Sequence, residues 1–288
     1  MNNWKKTTLM TVLMFFFVSA PAWSAETMKH DPKVVKCCVI NGMIRAKMWQ
    51  AVAKMFEKKT GIRVEVVSTG PKGIISKPFR RGEADLLTMH SSDGTTDLVV
   101  EGYGVNIRPW ARNDLVILGP PEDPAGIRGM KDGAAALRKI AETKSNWLDI
   151  MGLGKREMGH KMWKRANIRP RGDWVLKDEA PTRHLAPAYG AKKKAYLIYG
   201  RMPYMTKKIA FKDLEIMVTG DPEMRRPYMV MEANPTVFPH VNHKGARMLS
   251  DFLLSEEVQT FLADFGKEMN EGYPCFYPVW PYNQNEKK

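Results

Sequence analysis

The chain has 288 residues, with 45 lysines and arginines against 31 aspartates and glutamates, a formal charge of +14. Hydrophobic residues make up 44% and charged residues 26%, which excludes collagen-like, mucin-like and long disordered chains and leaves room for one large or two smaller cores. The basic excess points either to an acidic partner (nucleic acid, anionic lipid or a small anion) or to no more than a generally basic, soluble surface.

At the N-terminus, Lys5 and Lys6 precede an apolar stretch from Leu9 to Val18, and small residues follow from Ser19 to Ala25. A membrane span needs about 20 apolar residues, so residues 1–25 read as a secretory signal peptide, cleaved after Ala22 or after Ser24. A periplasmic location is expected. Secretion argues against nucleic acid, and so does the scatter of Lys and Arg without a basic block.

Lys36 to Ile40 reads as a buried strand, broken by Asn41-Gly42. Met48, Trp49, Val52, Met55 and Phe56 share one helical face, stopped at Gly61. Ile62, Val64 and Val66 alternate with charged residues as a second strand, and Ser68 to Pro71 reads as a turn. A short helix to Arg80-Arg81, a strand from Ala84 to Met89, a loop from His90 to Gly94 and a helix from Thr96 to Glu101 complete a second round. This alternation predicts a largely parallel sheet covered on both faces, with ligands at the carboxyl ends of the strands.

Asp114 to Leu118 is a further strand, ended by Gly119-Pro120-Pro121. A helix over 131–144 leads to Trp147–Met151, then to Gly152-Leu153-Gly154 and a helix from Lys155 to Ala166. Leu214 to Val218 and Tyr228 to Glu232 are later strands. Two amphipathic helices close the pattern, the second with Ser255 as N-cap and Glu256, Glu257 in its first turn. The class is α/β, with two lobes sharing one cleft.

No catalytic signature is present, and no metal site or cofactor is expected. The turn Gly152-Leu153-Gly154-Lys155-Arg156 reads either as an anion-binding helix N-terminus or as a plain turn into a helix. His240 and His243 fit a structural role better than a metal pair, for want of a third ligand. The methionines read as core filler. Cys37, Cys38 and Cys275 allow one disulfide with a thiol left over. Two small buried residues, one of them bridged to Cys275 or neither, is the simpler reading, and a soft-metal or redox site at Cys37/Cys38 the sharper one.

The segments Glu101-Gly102-Tyr103-Gly104-Val105, Asn113 to Pro120 and Asp123-Pro124-Ala125-Gly126-Ile127 resemble the periplasmic tungstate-binding subunits of ABC transporters. The likeness extends through Phe56 to Gly61, Gly82 to Asp85, His90, Gly172-Asp173-Trp174, Lys194 to Tyr196, Arg201, Asn234-Pro235 and Ala263 to Phe265. It implies a two-lobed type II periplasmic-binding-protein fold with a ligand cleft at the hinge: lobe 1 from residues 26–112 plus 231–288, lobe 2 from residues 113–230. It further implies a monomer that captures a small anion and delivers it to an ABC permease without catalysis.

The ligand loops depart from that family. Val39-Ile40-Asn41-Gly42-Met43 has no hydroxyl, Asp149 through Lys155 lacks the family's Arg, Ser and Thr, and Glu179 to His184 replaces a glycine-rich stretch. An oxyanion in a neutral site depends on several preorganised N–H and O–H donors, and losing the hydroxyls removes them directly. Asn41, Gly42, Thr69, Gly70, His90, Lys155 and Arg156 are the candidate replacements. Full charges at Lys155 and Arg156 suit a carboxylated or phosphorylated solute, so the same fold binding an organic acid or other solute, as transporter subunit or sensor, stands as the alternative.

Overall fold

In the computed structural model, residues 31–150, 153–180, 185–206 and 213–279 are described. The expected signal segment, Met151-Gly152 and Pro181 to His184 lie outside them. Among the described residues, no helix is long and apolar enough to cross a membrane.

Strand β1 (Val34–Ile40) is buried except at Lys36, which suits a strand covered on both faces. It runs directly into a short helix, α1 (Asn41–Arg45), and then α2 (Met48–Thr60), whose Met48, Trp49, Val52 and Phe56 form the buried stripe. Gly61 ends α2 in the left-handed region at φ 70°, where only glycine is free of a Cβ clash. The edge strand β2 (Arg63–Gly70), helix α3 (Lys72–Arg80) and β3 (Leu86–His90) follow, then α4 (Asp93–Val100). Ser92 begins α4 with a capping box, its own N–H donating to Thr95 Oγ1 at 2.7 Å.

Asn41-Gly42 is therefore the first turn of a helix rather than a loop. Ser68 to Gly70 is strand, paired with Cys38 to Ile40, rather than a turn.

The largest revision concerns β4. It spans Gly104–Gly119, well beyond the expected Asp114–Leu118. Its first half pairs antiparallel with β9 (Arg225–Ala233), and its second half pairs antiparallel with β7 (Leu197–Gly200) and β8 (Glu215–Val218). One strand thus belongs to two sheets. Irregular register around Asn106, which sits at φ 53°, and near Pro109 hides this in the sequence.

The sheet order β2-β1-β3-β9-β4-β7 is mixed rather than largely parallel: β1, β2 and β3 are parallel, whereas β9 opposes both β3 and β4. The second half also holds α5 (Gly133–Glu142), β5 (Trp147–Asp149), α6 (Leu153–Arg165), β6 (Val175–Lys177), α7 (Ala186–Lys192) and α8 (Arg201–Thr206). Helices α9 (His243–Leu253) and α10 (Glu256–Asp264) return to the first half. Ser255 precedes α10 as expected, but its hydroxyl donates backward to Phe252 O at 2.7 Å instead of capping the helix.

The cores divide accordingly. One cluster joins Val35, Trp49, Phe56, Leu87 and Trp110 to Tyr228, Leu249 and Phe276. Two more lie between Leu115 and Met224, around Trp147, Trp163 and Tyr196 and around Leu148, Leu197 and Tyr204. Tyr228 and Val230 pack with the first cluster, and Met217, Val218 and Met224 with the second.

Candidate functional site

The carboxyl ends of β1, β2 and β3 lie side by side, since Ile40 is opposite Gly70 and Val39 is opposite both Thr69 and Thr88. That register brings Asn41, Gly42, Thr69, Gly70 and His90 to one edge of the sheet. Asn41, Gly42 and Thr69 are exposed, Gly70 is buried and His90 is half-buried.

His90 lies opposite Tyr228 of β9 and stacks on it, with ring centroids 4.0 Å apart and planes 30° from parallel. A side-chain carbon at Gly42 would stand 3.6 Å from the Tyr228 hydroxyl, so tyrosine and α1 share one wall. Burial pushes the Tyr228 hydroxyl well above the ordinary phenol range and keeps it protonated.

Two cations that sequence reading missed meet at this edge. Lys72, the first residue of α3, donates from Nζ to the Ser91 carbonyl at 3.2 Å. Arg226 of β9 donates to the same oxygen at 3.0 Å. Burial and the neighbouring Arg226 bring the Lys72 ammonium down to about 8, and burial lowers Arg226 itself. The same burial, with Arg226 and Lys72 close by, holds His90 well below the usual imidazole range, so it is neutral at pH 7; Asn113 acts in the opposite sense. The buried Asn113 Oδ1 has no hydrogen-bond partner among the described residues.

Negative compensation here is thin. Glu157 of α6 stands 4.0 Å from Arg226 with half its side chain exposed, and Asp93 acts on Lys72 in the same sense as Glu157, by less. Like charges held together in a partly buried place raise its free energy.

Lys155 and Arg156 are not part of this cluster. Lys155 Nζ lies 3.5 Å from the centroid of the buried Tyr199 ring, and Arg156 faces Asp149 at 3.8 Å. Their helix nevertheless borders the site, because Gly154 lies directly against the Arg226 guanidinium. Lys72 carried one usable signal, its place after Pro71 at the end of β2. Arg226 carried none, since Arg225-Arg226 is a bare basic pair in the sequence.

Other candidates resolve as structural. Cys37, Cys38 and Cys275 are all free and buried, so no bridge to Cys275 forms. Burial pushes Cys37 well above the usual thiol range, Cys38 up to about 12 and Cys275 up to about 11, which holds them as thiols rather than metal-binding thiolates. His240 Nε2 is 2.9 Å from Gly82 O, whereas His243 faces Glu232 at 3.2 Å, so the two imidazoles serve different neighbours. A cavity of about 470 Å³ lies between α6 and the β5–β6 pair, walled by Trp147, Trp163 and Ile168, and none of the cleft residues named above lines it.

These residues are thus drawn from the start of the chain and from β9 together. The same span is covered by a family model for bacterial extracellular solute-binding proteins, which matches residues 39–268. The chain belongs to that family.

This solute-binding protein is 31% identical to a putative ABC transporter anion-binding protein of Haloferax volcanii, over 79% of this chain and 67% of the relative. It is 31% identical to the tungstate-binding protein TupA of Peptoclostridium acidaminophilum, over 77% of this chain and 78% of that one. Among solved structures, the tungstate-binding protein TupA of Desulfovibrio alaskensis superposes with a TM-score of 0.70 at 25% identity, covering 85% of this chain and 98% of its own. The two-lobed periplasmic-binding-protein fold expected from the sequence is thereby established.

Proposed function

We propose that this solute-binding protein captures a small oxyanion in the cleft bounded by Asn41-Gly42, Gly70, His90 and α6, held chiefly by Lys72 and Arg226. The observation that carries the reading is the convergence of those two cations on one carbonyl with little carboxylate nearby. The named ligands of the relatives, an anion and tungstate, are in keeping with it. Neutral partners complete the wall: the exposed amide of Asn41, the Thr69 hydroxyl and the buried Tyr228 hydroxyl.

In this reading the protein works in the periplasm as a monomer and hands its solute to an ABC permease. It acts without catalysis, in keeping with a cleft that pairs no nucleophile with a base among the described residues: His90 stacks on Tyr228, and the cysteine thiols are buried. Charge-assisted contacts from Lys72 and Arg226 replace the hydroxyl-rich first loop, since Val39 to Met43 offers no hydroxyl. A second reading, a small organic carboxylate, is favoured by Arg226, whose planar fork matches a carboxylate edge.

The test is a thermal-shift and calorimetric titration with tungstate, molybdate, sulfate, phosphate and a panel of organic acids. A ligand that binds only the folded protein adds about 2.7 kcal/mol at a hundredfold excess over Kd. A shift with tungstate or molybdate supports the first reading, and a shift with organic acids alone supports the second. No shift with any anion refutes both.

A further inference from the structure

We infer that Gly154 is a positioning residue for anion capture: by carrying no side chain it lets the Arg226 guanidinium lie across the first turn of α6, within reach of both lobes, and so sets the positive charge that the cleft presents. The inference rests on the reading of the cleft as an anion site and deepens it.

Gly154 is not needed for backbone freedom; it sits in a regular helix, α6. It is needed for room. A methyl group there would overlap the Arg226 guanidinium carbon and both terminal nitrogens. Those atoms are the far end of a long side chain, so the guanidinium yields and the helix does not. Once displaced, it no longer reaches both the Ser91 carbonyl of the first lobe and Glu157 of the second.

Five residues further along α6, Gly159 offers the contrast. A methyl there meets only a ring carbon of Trp147, at 4.0 Å, which is ordinary packing distance. Substitution at the two glycines therefore changes helix propensity alike, but only one of them touches the site.

Moving Arg226 has an electrostatic signature. The charged and titratable groups facing Lys72 are Arg226 from β9, Glu157 from α6, Asp93 from α4 and the neutral His90 from β3. Burial is the larger cause of the low Lys72 value and Arg226 is the charge that adds to it, so retracting Arg226 lets Lys72 rise part of the way from about 8.

The test compares wild type, Gly154→Ala and Gly159→Ala. The titration of the Lys72 ammonium is followed by side-chain NMR without ligand, and affinity is measured by calorimetry with sodium tungstate and sodium sulfate across pH. In Gly154→Ala the Lys72 midpoint is expected to rise, tungstate affinity at pH 7 to fall at least tenfold, and the alkaline loss of affinity to move to higher pH. Gly159→Ala is expected to match wild type in all three, and urea unfolding checks that both variants fold. An unchanged Lys72 midpoint in Gly154→Ala overturns the positioning, and a shifted midpoint with unchanged affinity overturns its part in capture. Wild type that binds neither anion refutes the tungstate-like reading and the capture role with it, while the Lys72 midpoint still decides whether Gly154 places Arg226.

Discussion

Arg225 and Arg226 are neighbours on β9, yet their surroundings are opposite. Arg225 donates from Nε to Asp114 at 3.1 Å, its guanidinium stacks 3.6 Å from the centroid of the Tyr277 ring, and only 6% of its side chain is exposed. Tyr277 donates its hydroxyl to the other Asp114 oxygen at 2.7 Å. Arg226 shares a carbonyl with a second cation and has a carboxylate only at 4.0 Å. Successive side chains on a strand point to opposite faces, so one arginine enters a compensated cluster and the other the cleft. The two differ in what neutralises them, and that is supplied by residues far away in the chain.

Breaking the compensated side should have the largest effect. Arg225→Ala leaves the Asp114 carboxylate buried without its cation, and unfolding free energy in urea is expected to fall by about 3–5 kcal/mol. Wild-type stability in that variant would mean that Tyr277 alone suffices.

The mirror experiment is Arg226→Ala. It removes one of two mutually repelling cations, so stability should change by no more than about 1 kcal/mol, whereas tungstate affinity drops roughly ten- to a hundredfold as a charge-assisted contact is lost. Loss of stability without loss of affinity would reverse the assignment of the two arginines.

The smallest effect is in the pH dependence of wild type. Lys72 titrates near 8 in the folded protein against 10.5 for an ordinary lysine. Anion affinity should therefore decline as pH rises above about 8. Stability without ligand runs the other way. Between those two values the unfolded chain binds the extra proton, so this residue makes the free protein more stable as pH rises. Calorimetric titration and urea unfolding on the same samples separate the two trends, and Lys72→Met should abolish both.

Legibility followed the range over which each feature is encoded. The rounds of strand and helix from β1 to α4 could be read because Trp49, Val52 and Phe56, or Val64 and Val66, carry their periodicity locally. β4 could not, because Asn106 and Pro109 interrupt its alternation and its two halves serve different sheets. At the site, the ends of the first three strands announced themselves through Asn41-Gly42, Thr69-Gly70 and His90. Lys155-Arg156 drew attention by charge, but Tyr199 and Asp149 engage them. Arg226 was out of reach for the same reason that separates it from Arg225: its partners, Ser91 and Gly154, come from elsewhere in the chain.

The placement of β9 also bears on the order in which the molecule can be assembled. The strand lies between β3 and the first half of β4 and pairs with both. As the chain emerges from its N-terminus, β7 and β8 can settle on the second half of β4 while the sheet begun by β1, β2 and β3 still has an open edge. The lobe started first is the one finished last. Arg226 and Tyr228 arrive together on that strand, so the proposed anion site gains its arginine and its tyrosine in one step, before α9 and α10 pack over the first core.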